Sequence, residues 1–301
     1  MDASFSIWKM LAGVAFFLLA MNFMEASLKH LANRKFKLFI KYQTHNKLKA
    51  IGGGAIATGL LQSSSIVNLL VLSMVGAGVV QMENALAIIL GSNLGSTFSS
   101  WIVALFGFDY NIENLMLPIA GVAGILMAFI NTESKKYLWL KFMFSLAFLF
   151  IAFGFIKTGM EGFVKQTDLS VFTQYPVIIF LLLGVLLTAI VQSSSATMAL
   201  ALSALYTNAI SLYVATAIIL GSEIGTTLKL FFVPANGIAA KKRVALGNFL
   251  FNCITVFFIF ILLWPINNLI TNVLKITNKL FALVFFQTFI NFCSIILFTP
   301  F

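Results

Sequence analysis

Two identical polar strings, Gln62-Ser63-Ser64-Ser65 and Gln192-Ser193-Ser194-Ser195, interrupt two uncharged stretches of the chain, 50–80 and 175–207. Each string divides its stretch into arms of about 11 to 17 residues, roughly 17–26 Å of helix at 1.5 Å per residue, short of the ~30 Å hydrocarbon layer of a bilayer. Serines that open a half-helix bring together free backbone N–H groups, the positive end of the helix dipole and hydroxyl donors, which is the chemistry of an oxyanion site. Ser63, Ser64, Ser65, Ser193, Ser194 and Ser195 are therefore the candidate substrate ligands. The half-helix before each string ends in unpaired carbonyls, and these, with the Gln62 and Gln192 side-chain oxygens, suit a small hard cation.

A second paired motif follows each string: Gly91-Ser92-Asn93-Leu94-Gly95-Ser96-Thr97 and Gly221-Ser222-Glu223-Ile224-Gly225-Thr226-Thr227. Its glycines let backbones approach closely, and Ser92, Asn93, Ser96, Thr97, Ser222, Thr226 and Thr227 add oxygen ligands for the cation; small-residue helix packing is the competing explanation. Glu223 closes a long uncharged stretch that begins after Asp168. An ionisable residue so placed is a functional candidate, to ligate a cation or to carry a proton. Asn248, Asn252, Gln287 and Asn291 read instead as interhelical hydrogen-bonding groups. No Lys or Arg lies between Ala50 and Glu83 or between Leu169 and Glu223. An anion at the serines thus has no basic partner from these segments, and co-bound cations must offset its charge in a low-dielectric site. His30 and His45, the two histidines, sit in a basic segment far from the serines. A Ser-His hydrolase therefore lacks its base, and no metal-ligand spacing, phosphate loop or dinucleotide fingerprint appears.

The elements that must position these groups are membrane helices. The chain has 301 residues, 60% hydrophobic and 9% charged, with a mean hydropathy of +1.02, far outside the soluble range. Spans are expected near 6–28, 84–106, 114–131, 137–160, 212–232, 244–264 and 280–299. The run Ile7–Met24 lacks a small-x-small cleavage site and reads as a span rather than a secretory signal. Cys253 and Cys293 lie in apolar runs and read as reduced core residues. The net charge of +10 is a matter of placement, since seven of the 19 basic residues lie between Lys29 and Lys49. With no soluble domain outside the spans, a nucleic-acid partner has no scaffold.

Aligning the chain with itself at an offset of 130 pairs Thr58–Thr97 with Thr188–Thr227, with 17 of 40 positions identical. If each interrupted stretch is a re-entrant hairpin, the loops carrying Arg34, Lys35, Lys37, Lys41, Lys47 and Lys49, then Lys135 and Lys136, then Lys241, Lys242 and Arg243 all face the cytoplasm. The acidic loop of Asp109 and Glu113 then faces out. Single helices would reverse these sides, against the positive-inside tendency. The hairpin topology puts the N-terminus outside, the C-terminus inside and the two copies in opposite orientation. The expected architecture is an all-α polytopic membrane protein of one transporter domain, with inverted repeats 1–131 and 132–264 and a C-terminal helix 265–301.

The paired strings, each followed downstream by a Gly-x-Asn-x-Gly-Thr-Thr-like string that opens at Gly91 or Gly221, resemble the type II sodium-dependent inorganic phosphate cotransporters and their bacterial relatives. Leu250-Phe251-Asn252 and Gln287-Thr288-Phe289-Ile290-Asn291 look like that family's Phe-Asn and His-Thr-Leu-Phe-Asn elements. The resemblance implies sodium-coupled phosphate import across the bacterial inner membrane, by alternating access between opposed hairpin tips, with no cofactor beyond the coupling sodium ions. Glu223 departs from the family's usual Asn and Gln287 from its frequent His, and the C-terminal regulatory domain of many bacterial members is not among these residues. The residues alone specify a small anion with co-bound cations. Sulfate, arsenate or a carboxylate as cargo, a proton-sensitive variant, a serine enzyme in the membrane, an anion channel and a homodimer stay open at this level.

Overall fold

The computed structural model describes residues 3–43, 46–108, 112–166, 174–232 and 239–300, and every regular element among them is helical. In chain order these are α1 (Ala3–Gln43), α2 (Lys47–Leu61), α3 (Ser64–Gly76), α4 (Met82–Phe106), α5 (Ile112–Phe129), α6 (Lys135–Val164), α7 (Val177–Val191), α8 (Ser194–Tyr206), α9 (Leu212–Phe232), α10 (Ala239–Ile261), α11 (Leu263–Asn268), a π-helical turn (Leu269–Val273) and α12 (Lys279–Phe298). Among the described residues, six helices are long and apolar enough to cross a membrane. The protein is an all-α, polytopic membrane protein; each expected span falls on a helix, but the one expected at 212–232 falls on α9, whose apolar stretch Leu212–Leu228 is shorter than a full span.

Two local readings are corrected. The basic segments expected as loops are helical: α1 runs on to Gln43, Lys47 and Lys49 open α2, Lys135 and Lys136 open α6, and Lys241, Lys242 and Arg243 lie in the start of α10. The reason is intrinsic propensity, since 14–51 holds no Gly or Pro and is rich in Lys, Leu and Ala. Asn46 then caps α2 by accepting the Leu48 N–H at 2.9 Å. Finally, α11 and the π turn, formed around Pro265, were not anticipated between the last two spans. Asp109 and His45 lie outside the described residues.

The predicted arms are observed as 15 and 13 residues in each half. Glycines set how they pack. A Cβ on Gly91 would collide with the Ile51 carbonyl oxygen, one on Gly95 with that of Ala55, and one on Gly54 with that of Ile88. Thr58 donates to Ser92 at 2.8 Å, and Ser99 donates to the Gln62 side chain at 2.6 Å. These pairings advance together along both helices, so α2 and α4 run side by side in one direction, with α3 between them in the chain. The second half repeats the pattern at the offset of the internal repeat, with Gly184 against Ile218, Gly221 against Leu181 and Gly225 against Val185. Close backbone approach through small residues is how helices associate where lipid is as apolar as the side chains.

The helix α12 links the halves. Beside α4, Trp101 meets both Phe281 and Thr288, and Ser100 donates to Gln287 at 2.8 Å. The far end of α12, at the Thr299 carbonyl, accepts from Lys47 at the start of α2, so α12 runs against α4. Beside α9 it starts where α9 starts, with Lys279 donating to Asn208 at 3.0 Å, and continues to Gln287 and Asn291 against Glu223. It therefore runs with α9. Two apolar cores result, a smaller one on α2, α3 and the first half of α4, and a larger one around α6, α8, α9 and α12. The outward faces carry large apolar side chains such as Leu60, Leu117, Ile125, Phe129, Leu186 and Phe257, as lipid contact requires.

Candidate functional site

Each Gln-Ser-Ser-Ser string is a helix break built the same way. Gln62 and Gln192 take left-handed backbone conformations, φ 55° and 56°, that end α2 and α7. Ser63 and Ser193 are extended, and their hydroxyls accept the N–H groups of Ile66 and Ala196, each at 3.3 Å, so both serve as N-caps. Ser64 and Ser65, and Ser194 and Ser195, then occupy the first helical positions, where backbone N–H groups have no intrahelical acceptor. The cap makes a testable contribution: Ser63→Ala lowers stability by about 1 kcal/mol and Ser63→Gly by only a few tenths, read by denaturant unfolding in detergent.

The two breaks open on one chamber. A cavity of about 210 Å³ is lined by all of Gln62 to Ser65 and Gln192 to Ser195, with Ser96, Ser99 and Thr226. Beside it, sharing Ser64, Ser65, Ser96, Ser194 and Thr226, is a smaller cavity of about 20 Å³ that Asn68, Asn93, Glu223, Thr227 and Asn248 also line. Among the described residues, no Lys or Arg lines either cavity. Electrostatically the site offers hydroxyl and N–H donors, oxygen acceptors and the carboxylates of Glu25 and Glu223, a set able to hydrogen-bond an oxyanion and to ligate a hard cation.

Of the expected cation ligands, Gln62, Gln192, Asn93, Ser96, Glu223, Thr226 and Thr227 line the cavities. Gln62 is partly engaged, donating to the Gly59 carbonyl at 2.5 Å while accepting from Ser99. Ser92, Thr97 and Ser222 line neither cavity. Ser92 accepts from Thr58, Thr97 donates to the Leu94 carbonyl and Ser222 to that of Ile219. Gln287 and Asn291 hydrogen-bond between helices as expected, both donating to Glu223 Oε1 at 3.4 Å. The halves also differ, because Thr188 pairs with Thr197 at 2.8 Å rather than with the second half's serine at 222.

Asn22 and Glu25 of α1 line the chamber, and Asn68 and Asn248 the small cavity; reading the sequence did not place any of them there. A signal existed for Glu25, an acidic residue closing the run Ile7–Met24 whose Met24-Glu25 pair has a counterpart in Met160-Glu161. For Asn68, the signal was a polar residue three positions after the serines in an arm whose one other polar residue is Ser73.

The Na+/Pi-cotransporter family model matches the chain over two segments, residues 16–158 and 164–288, each holding one serine string. The chain is 29% identical over 252 residues to the uncharacterized protein YqeW of Bacillus subtilis, covering 81% of this chain and 78% of that one. It is 23% identical over 295 residues to YjbB of Salmonella typhimurium, whose name describes a putative inorganic phosphate export protein; the match covers 97% of this chain and 53% of that one. Over 60 residues it is 38% identical to sodium-dependent phosphate transport protein 2A of Oryctolagus cuniculus, 20% of this chain and 9% of that one. The chain thus spans about half the length of the YjbB relative. No solved structure matches it. Two matched segments covering most of a polytopic, all-helical chain establish that it belongs to the Na+/Pi-cotransporter family of membrane transporters.

Proposed function

We propose that this protein carries inorganic phosphate across the cell membrane together with sodium, by alternating access. The observation that carries the reading is the chamber onto which both serine breaks open, with no Lys or Arg lining it among the described residues. Phosphate is held between the tips by Ser63, Ser64, Ser65, Ser193, Ser194 and Ser195 and by the first N–H groups of α3 and α8. Sodium ions at Gln62, Gln192, Asn93, Ser96, Glu223, Thr226 and Thr227 neutralise it, which makes co-transport obligatory rather than optional. The helix pairs α2–α3 and α7–α8 are re-entrant hairpins of two inverted repeats, 1–131 and 132–264, followed by 265–301. The direction of α12, with α9 but against α4, supports the inversion. Alternating access then follows from rocking one repeat against the other around the midplane site.

An inward sodium gradient drives import. The name of the YjbB relatives favours a second reading, export of phosphate. Purified protein in proteoliposomes separates them. An imposed inward sodium gradient should accumulate radiolabelled phosphate above equilibrium, with sulfate competing weakly. Loss of preloaded phosphate that ignores sodium would replace the coupled-import reading by export.

A further inference from the structure

The small cavity beside the chamber has its own chemistry. Glu223 on α9 is 8% exposed, and Gln287 and Asn291 of α12 both donate to its Oε1, so two fixed amides orient the carboxylate as it lines the cavity. Gln287 is itself held, because its side-chain oxygen accepts from Ser100. Across the cavity Asn68 of α3 is 5% exposed, and its Oδ1 is buried with no hydrogen-bond partner. A buried acceptor without a donor is rare in folded proteins and points to a group supplied from solution. Asn248 of α10, 2% exposed, and Asn93 of α4 complete the lining, with Thr226 and Thr227 hydroxyls.

We propose that this cavity is a sodium site shared between the two halves, with Glu223, the Asn68 Oδ1 and the side-chain oxygens of Asn93 and Asn248 as its ligands. It rests on the reading of the chain as a cation-coupled phosphate transporter and adds ligands to it. The available donors are oxygen, with no sulfur or imidazole, which selects a hard cation. A volume of about 20 Å³ exceeds the roughly 10–15 Å³ that a single water-sized occupant needs, so one small ion fits. Water alone would satisfy the Asn68 oxygen but would not balance the ionised carboxylate, and among the described residues no Lys or Arg lines the cavity.

The site exists once. The internal repeat pairs Asn68 with Met198, which is fully buried, and Glu223 with Asn93. Its ligands come from α3 and α4 on one side and α9 and α10 on the other, so a bound ion ties the two halves in one relative position. Loading and release then become part of the movement itself.

The test is thermal unfolding of the full chain in detergent without phosphate, in sodium chloride against potassium and choline chloride. Wild type should be stabilised by sodium specifically, and Glu223→Gln and Asn68→Ala should each raise the half-saturating sodium concentration at least ten-fold. Glu223→Asn, which copies the first half, replaces Glu223→Gln should the latter not fold. Sodium stabilisation with wild-type half-saturation in these variants overturns the site, as does its absence from wild type. Phosphate uptake by the same preparations separates the two readings. Vesicles that move phosphate with sodium while sodium binding ignores both substitutions sink this site alone. Vesicles that move no phosphate, with sodium binding still dependent on Glu223 and Asn68, sink the phosphate reading alone.

Discussion

Replacing Ser64 and Ser194 together by Ala is expected to abolish phosphate uptake while leaving the protein folded. Both side chains line the chamber and the small cavity, at the first helical positions of α3 and α8. Ala is well tolerated there, and the N-caps at Ser63 and Ser193 remain in place. Each hydroxyl donating to a charged oxyanion contributes about 1.5–3 kcal/mol. Losing two costs about 3–6 kcal/mol, or roughly 10²- to 10⁴-fold in affinity at 1.4 kcal/mol per decade. Radiolabelled uptake measures the loss, and an unchanged elution volume and unfolding midpoint certify the fold. Uptake within two-fold of wild type would remove the serines from the binding role.

Gly91→Leu and Gly221→Leu are expected to have the largest structural effect. Each glycine sits against the carbonyl of a neighbouring helix, Ile51 or Leu181, where even one added carbon overlaps backbone. Backbone cannot give way as a flexible side chain does, so α2 must leave α4, or α7 must leave α9, and the breaks lose their backing. The cost is at least about 3 kcal/mol, the upper range of overpacking effects. Gly121→Ala in α5 is the control, because nothing lies within 4 Å of a Cβ there. It should be neutral or stabilising by up to about 1 kcal/mol. Fluorescence-monitored thermal unfolding distinguishes the three variants, and a Gly91→Leu protein as stable as wild type would contradict the packing described here.

Both predictions depend on features of unequal visibility in the amino-acid order. Helix breaks at Gln62 and Gln192 were legible because a polar quartet inside an apolar run is a local signal, and because the same string recurs in both copies of the internal repeat. The extension of α1 to Gln43 was missed for the opposite reason: positive charge suggested a loop, while backbone propensity, which charge does not alter, kept the helix going. Ser92 and Ser222 resembled ligands by type and spacing. Their hydroxyls are consumed by Thr58 and by the Ile219 carbonyl, an outcome set by which helix face meets which neighbour.

What nearest-neighbour chemistry specifies in this chain is its helices, their breaks, the duplication and the absence of basic residues around the serines. Each of these is written in residues a few positions apart or in a repeat of them. Which side chains share a cavity was decided by packing between segments as distant as Asn68 and Glu223, or Ser100 and Gln287. A helix of fixed pitch says what lies on one face, but not how far it rotates or slides against another. Here that is settled by glycine contacts and by the course of α12, and only the assembled fold brings Asn68 and Asn248 beside Glu223.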